Sequence, residues 1–118
     1  MAKRFTDTEK YWPGRCYVYL LVPQMPNPDR LKIGITQNLD SRKSGIQCAV
    51  GQPVDYIFTI PFPSRDWARR HEETLHRLLA KDRLHGEWFR YSDFAMELAV
   101  ELKNSSQSLI DMEFIAYG

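Results

Sequence analysis

The sequence predicts an α+β domain built on a small antiparallel three-stranded sheet flanked by helices. Two patterns carry that reading. Three runs rich in β-branched and aromatic residues, 16–22, 30–36 and 53–62, read as strands, and a turn-rich loop joins the first two as in a hairpin. Two later stretches instead repeat their apolar residues with a helical period. The order β-β-α-β-α-(β)-α places helices around one antiparallel sheet.

Residues 1–15 form a polar N-terminal segment that ends in Trp-Pro-Gly-Arg, a turn. The run Cys16–Val22 is the first predicted strand. Pro23, Pro26 and Pro28 stop it, because proline offers no backbone donor to a strand or helix. Arg30–Thr36 alternates polar and apolar residues as the second strand, and Asn38 or Asp40 is placed to cap a short helix after it. After the third strand, Ser64 is the expected N-cap of the longest helix, over about residues 65–82. Trp67, His71, Leu75, Leu78 and Leu79 share a face there and are expected to look into the core. Residues 84–91 read as a turn and a short extended segment. Ser92 begins a last helix to about Asn104, with Ala95, Leu98, Ala99 and Leu102 on its inner face. Residues 16–104 are thus expected to form one domain, with 105–118 a tail or an extra strand.

Composition sets limits on function. The chain has 118 residues, 43% hydrophobic and 26% charged, as expected of one soluble globular domain. No apolar run approaches the roughly 18 residues of a membrane span, and the N-terminus has no signal-peptide core, so a cytoplasmic location is expected. Cys16 and Cys48 are isolated and read as reduced thiols. The net charge of +1 conceals an asymmetry: residues 1–91 hold 15 Lys/Arg against 10 Asp/Glu, and residues 92–118 hold 1 against 5. A basic body with an acidic tail suits a polyanionic ligand, or only a solvated surface.

Four places put polar residues against apolar structure. Tyr17 and Tyr19 point to one face of the first strand, as do Lys32, Gly34 and Thr36 in the second. Phenols opposite a lysine and a glycine make either a polar floor for a substrate or ordinary sheet aromatics. Arg42 offers a planar fork of donors suited to a phosphate. On the long helix, His-Glu-Glu-Thr-Leu-His is not the zinc-protease pattern. His71 and His76 are five residues apart and diverge by roughly 140°. Glu72 and His76, at i and i+4, do align. A single inward carboxylate suits a hard cation that keeps several waters and shares the substrate phosphate. The fourth place is Gly-Glu-Trp-Phe, where Glu87 faces either way.

Taken together, "YVY" and "KIG" strands, Arg42 ten residues after Lys32, a helix bearing E-x-x-L-H and then "EWF" resemble the GIY-YIG endonuclease superfamily. The sequence looks closest to a divergent phage-type branch often described as a DNA-binding domain. The resemblance spans about residues 16–91. It implies a metal-dependent DNA endonuclease that hydrolyses phosphodiester bonds with one metal, Mg²⁺ or Mn²⁺. In that mapping Tyr19 matches the first motif's tyrosine, and Tyr17 stands where that motif usually has glycine. Lys32, Ile33 and Gly34 match the second motif, with lysine replacing its tyrosine. Arg42 matches the arginine on the scissile phosphate, and Glu72 matches the metal-holding carboxylate. Glu87 is the loosest match, and His76, Gly34 and Thr36 are expected to support the site or contact substrate.

A lysine ammonium is no base at neutral pH, so two outcomes are open: Lys32 lowers the pKa of Tyr19 and leaves Tyr19 as the base, or the site binds nucleic acid without cutting it. The same resemblance also admits an inactive nucleic-acid-binding module, or a protein-interaction or regulatory domain. DNA is the expected partner, RNA stays open beside it, and both monomer and homodimer are compatible with the sequence.

Overall fold

The computed structural model describes residues 14–117, with side chains placed through residue 106. The N-terminal segment, apart from residues 14 and 15, lies outside the described residues. Strand β1 (Cys16–Pro23) and strand β2 (Arg30–Thr36) form the expected antiparallel hairpin, with Tyr19 opposite Gly34 and Tyr17 opposite Thr36. Helix α1 (Leu39–Val50) follows at once, and Asn38 caps it by accepting from the Ser41 amide at 2.9 Å. Gly51 ends the helix in the left-handed region at φ 72°, a conformation that glycine adopts without a Cβ penalty. Strand β3 (Val54–Phe62) pairs along the other side of β1, with a register shift between Leu20 and Leu21.

Helix α2 (Arg65–Leu78) is capped by Ser64, as expected, and a 3-10 turn (Ala80–Asp82) leads out of it. Two strands then follow, β4 (Arg83–His85) and β5 (Trp88–Arg90), joined by a turn in which Gly86 has φ 54°. Helix α3 (Asp93–Tyr117) closes the chain, with Ser92 accepting from the Ala95 amide.

The expected three-stranded sheet is therefore corrected to five strands, all antiparallel, in the order β3-β1-β2-β5-β4. Strands β4 and β5 have three residues each, too few for a period-two pattern to stand out from a turn. Strand β5 holds by pairing to β2, which places Trp88 opposite Lys32 and Arg90 opposite Arg30, and β4 holds by pairing to β5. Helix α3 also runs past Asn104, through the stretch expected to be a linker and a strand or tail.

The sheet has a core on each face. Val18, Leu20, Leu31, Ile33, Ile60 and Phe89 pack against α2 and α3. Tyr19, Leu21, Ile46 and Val54 form a smaller cluster with α1, joined by Tyr56 and Trp88. Alternation along β2 sends Leu31 and Ile33 to the first core and leaves Arg30, Lys32, Gly34 and Thr36 on the α1 face.

Helix α2 is rotated from the expected orientation. Trp67 (41%) and Leu78 (50%) are exposed, whereas Ala68, Leu75 and Leu79 are buried. The stripe 68-72-75-79 is the one that meets the sheet, so Glu72 occupies a core-facing position. His71 remains half-buried, stacked on Phe62 with ring centroids 4.3 Å apart. On α3, Ala95 and Ala99 are buried and Leu98 and Leu102 pack beside them, as the pattern requires.

Candidate functional site

The site is built around the edge of β2 where β5 stops. The Ile33 amide donates to the Glu87 carbonyl at 3.0 Å, which is the last rung of backbone pairing on that side of Ile33. The Ile33 carbonyl points the same way, and His76 of α2 completes it by donating from Nε2 at 2.9 Å. Because a carbonyl only accepts, this bond fixes the proton on Nε2. The His76 ring also lies 4.9 Å from that of Phe89. His76 thereby ties α2 to the sheet edge, and Glu72, one turn earlier on the same helix face, is carried to the neighbouring stretch of that edge.

Tyr19 lies across Gly34 from the other strand. A Cβ at position 34 would be 2.5 Å from the Tyr19 hydroxyl oxygen, 2.7 Å from Cζ and 3.0 Å from Glu87 Oε1. Gly34 has no positive φ, so it is there for space. Of the two readings left open for this strand pair, a polar floor or sheet aromatics, the space at Gly34 itself goes to the Tyr19 ring. Tyr19 is 1% exposed and meets Tyr56 edge-on at 5.5 Å. Tyr56 in turn donates to the Leu39 carbonyl at 2.7 Å, which fixes the start of α1 against the sheet.

Three charged groups from three elements act on the Tyr19 phenol. Burial, then the Glu87 carboxylate, push its pKa well above the ordinary tyrosine value. Arg42 pulls it down, and Tyr56 and Glu72 push it up. Lys32 is not the lowering influence it was expected to be. Its ammonium is 3.3 Å from Glu87 Oε1 and 5.5 Å from the Trp88 ring centroid, so its charge is spent on Glu87. The pKa of Glu72 is also raised, by burial first and by Glu87 second, against a lowering influence of His76. Its Oε2 is buried and has no hydrogen-bond partner. Such an orphaned acceptor is costly unless something binds it.

Beside this cluster, between β2 and α1, runs an open groove of about 470 Å³. Lys32 and Thr36 line one wall, and Asn38, Ser41, Arg42 and Gly45 line the other. Thr36 mainly serves the turn into α1, since its hydroxyl both donates to the Asn38 carbonyl and accepts from the Asn38 amide. Tyr17 is set apart and accepts from Arg15 Nε at 3.1 Å. The structure thus brings Tyr19, Gly34, Glu72, Glu87 and Lys32 together, with Arg42 within electrostatic reach and His76 behind them. Glu73 faces solvent, as the helix geometry requires. Tyr56 and the Trp88 ring also belong to the cluster. Neither is among the expected site residues: Tyr56 is one aromatic in a strand, unremarkable packing material, and Trp88 stands out only as part of Gly-Glu-Trp-Phe. Among the described residues, no group of three or more His, Cys, Asp or Glu comes together as a cage for a metal ion.

A five-stranded antiparallel sheet with a carboxylate-and-phenol cluster at an open strand edge defines a small α+β domain with a polar site. The model of the T5orf172 domain matches residues 16–105, and the chain belongs to that family. This corrects the resemblance to the GIY-YIG superfamily, which is a different family. That resemblance rested on motifs of three to five residues, with lysine for tyrosine at position 32 and tyrosine for glycine at position 17. At a coarse level, membership is consistent with DNA binding. No curated protein and no solved structure matches the chain. Among the described residues no helix is long and apolar enough to cross a membrane.

Proposed function

We propose that this domain binds DNA and hydrolyses a phosphodiester bond at the cluster of Tyr19, Arg42, Glu72 and Glu87. The observation that carries the reading is the buried, unpartnered Oε2 of Glu72 on the core-facing stripe of α2. A site that only held phosphates would gain nothing from two carboxylates near a phenol, because they repel the ligand. A carboxylate with an orphaned oxygen fits Mg²⁺ or Mn²⁺, with water and phosphate oxygens completing the shell. Glu72 would hold the cation, with Glu87 alongside; when bound, the cation supplies charge to stabilise the developing negative oxygens.

The chain's own groups divide the remaining work. Arg42, exposed at the groove, is placed to pair with non-bridging phosphate oxygens and steady the charge of the transition state. Tyr19 is protonated at neutral pH, so it takes a proton from the attacking water only as it gives up its own. The Glu87 carboxylate beside it is the acceptor for that proton. The water oxygen bonds to phosphorus, the bond from phosphorus to the leaving sugar oxygen breaks, and that oxygen takes up a proton from solvent.

The test is a nuclease assay on duplex, single-stranded and branched DNA with Mg²⁺ or Mn²⁺. Cleavage is expected, lost in Glu72→Ala and reduced at least tenfold in Arg42→Ala. Cleavage unchanged in Glu72→Ala would sink the assignment. A second reading, binding of the DNA backbone without cutting, is favoured by one observation: Lys32 is neutralised by Glu87 while Tyr19 is held protonated. Salt-dependent DNA binding with no cleavage of any of these substrates would establish it in place of hydrolysis.

A further inference from the structure

The α1 face of the sheet carries a second basic feature, outside the cluster. Arg30 of β2 and Arg90 of β5 are direct cross-strand partners, and both side chains project to this face together with Lys32 and Trp88. Like charges directly opposite one another in an antiparallel pair destabilise it. Neither arginine makes an ion pair among the described residues. Arg30 lies 5.5 Å from the Trp88 ring centroid, and its buried Nε has no hydrogen-bond partner. Lys32 also lies over that ring, so Trp88 is occupied by cations and is not a free platform for a base. The groove that continues past Lys32 to Arg42 has no aromatic residue in its lining.

We infer that Arg30 and Arg90 form a phosphate-holding site for the nucleic-acid backbone. The strand crosses the sheet from this pair to the Arg42 groove and is read by its phosphates rather than its bases. Two guanidiniums side by side without a carboxylate partner repel each other, a cost that the Trp88 ring beside Arg30 offsets only in part, and a phosphodiester run removes it by pairing with both. Without a stacking platform, the contact positions the strand and carries no sequence preference. This inference rests on the nucleic-acid reading of the site but does not require hydrolysis.

The experiment is fluorescence anisotropy with labelled DNA of several unrelated sequences, and with RNA alongside, in EDTA and again in Ca²⁺, across a salt series. The proteins are the wild-type chain, Arg30→Gln, Arg90→Gln and, as a control with the same charge change on exposed α2, Arg77→Gln. Each of the first two variants is expected to lose roughly 3–10-fold in affinity near about 0.1 M salt, and to lower the log–log salt slope by about 1. The loss should be equal across sequences, and the melting temperature should hold or rise as the like charges separate. Arg77→Gln should bind close to wild type. The inference is overturned if Arg30→Gln and Arg90→Gln bind like Arg77→Gln, if the loss is confined to one base sequence or to RNA, or if the wild-type chain binds no probe at low salt. Cleavage is not read here, so a domain that binds without cutting leaves the inference intact. A domain that cuts DNA but ignores both substitutions refutes it alone.

Discussion

Gly34→Ala is the sharpest test of how the cluster is built. The new methyl group would stand 2.5 Å from the Tyr19 oxygen and 2.7 Å from Cζ, well inside van der Waals contact. The ring has nowhere easy to go, since it is 1% exposed and held edge-on by Tyr56. Overpacking of this kind costs about 1–3 kcal/mol. Against that, replacing glycine stiffens the unfolded chain and returns roughly 0.4–1 kcal/mol where the backbone is compatible, as it is here. The net loss is on the order of 1–2 kcal/mol, which at about 4 °C per kcal/mol lowers the melting temperature by roughly 4–8 °C. The decisive arm is the same substitution in a Tyr19→Val background. There the ring is gone, and the remaining close atom, Glu87 Oε1, ends a side chain that is 40% exposed and free to give way. Gly34→Ala should then be neutral or stabilising, a coupling of about 2 kcal/mol between the two positions. Thermal melts of the four proteins measure it. An additive cycle, with the same cost in both backgrounds, would refute the claim that Gly34 exists to seat Tyr19.

Two further predictions concern the carboxylates. Glu72 has a pKa raised in the folded state, so its contribution to stability is full below the unfolded value near about 4.3 and is lost as pH rises through the folded value. Glu72→Gln should therefore melt higher than wild type near neutral pH, with the gap closing on acidification. Mn²⁺ should raise the melting temperature of wild type only, and a pH-independent gap would contradict the burial argument. Glu87→Gln removes a charge that raises the Tyr19 pKa and releases Lys32 from its partner. The phenolate absorbance of Tyr19, isolated from the other tyrosines by subtracting Tyr19→Phe spectra, should then develop at lower pH; an unchanged or later transition would place Glu87 outside the cluster.

The parts of this fold that were legible in the sequence are those where one periodicity runs long enough to dominate. The β1–β2 hairpin, β3 and the inner face of α3 are of this kind, and the Ser64 and Ser92 caps follow from side chains that compete for free amides. Strands β4 and β5 escape because three residues contain a single alternation. The orientation of α2 escapes for a different reason. Hydrophobicity assigns Trp67 and Leu78 to the core, but a helix lying close over a sheet favours a small residue at the contact, and Ala68 supplies it. Glu72, expected inward from its alignment with His76, lies on the buried stripe of the helix so rotated. The identities of Tyr19, Lys32 and Glu72 as candidates were readable, whereas their electrostatics were not. Whether Lys32 faces Tyr19 or Glu87 depends on where the β4–β5 turn ends, and the sequence places only a turn and one short extended segment there, with no strand partner.

The residues invoked for function share a property that argues for the reading independently of any motif. Each violates a local rule of folding that its neighbours obey. Glu72 interrupts an apolar stripe and leaves an oxygen unsatisfied; Gly34 lies mid-strand without a backbone reason; Arg30 and Arg90 oppose each other across a strand pair. Glu72 Oε2 has no hydrogen-bond partner and Arg30 and Arg90 make no ion pair among the described residues, whereas the other buried polar groups, Thr36 and Ser106, have hydrogen-bond partners. Natural sequences keep local and global preferences consistent except where a ligand supplies the missing term. Tyr19 answers the second violation; under the proposed function a divalent cation would answer the first and a phosphate run the third. All three converge on the α1 face of the sheet and the open edge of β2. Packing of Tyr19 accounts for Gly34, whereas a cation-bearing polyanionic ligand lying across that face, as proposed, would account for Glu72 and the arginine pair together.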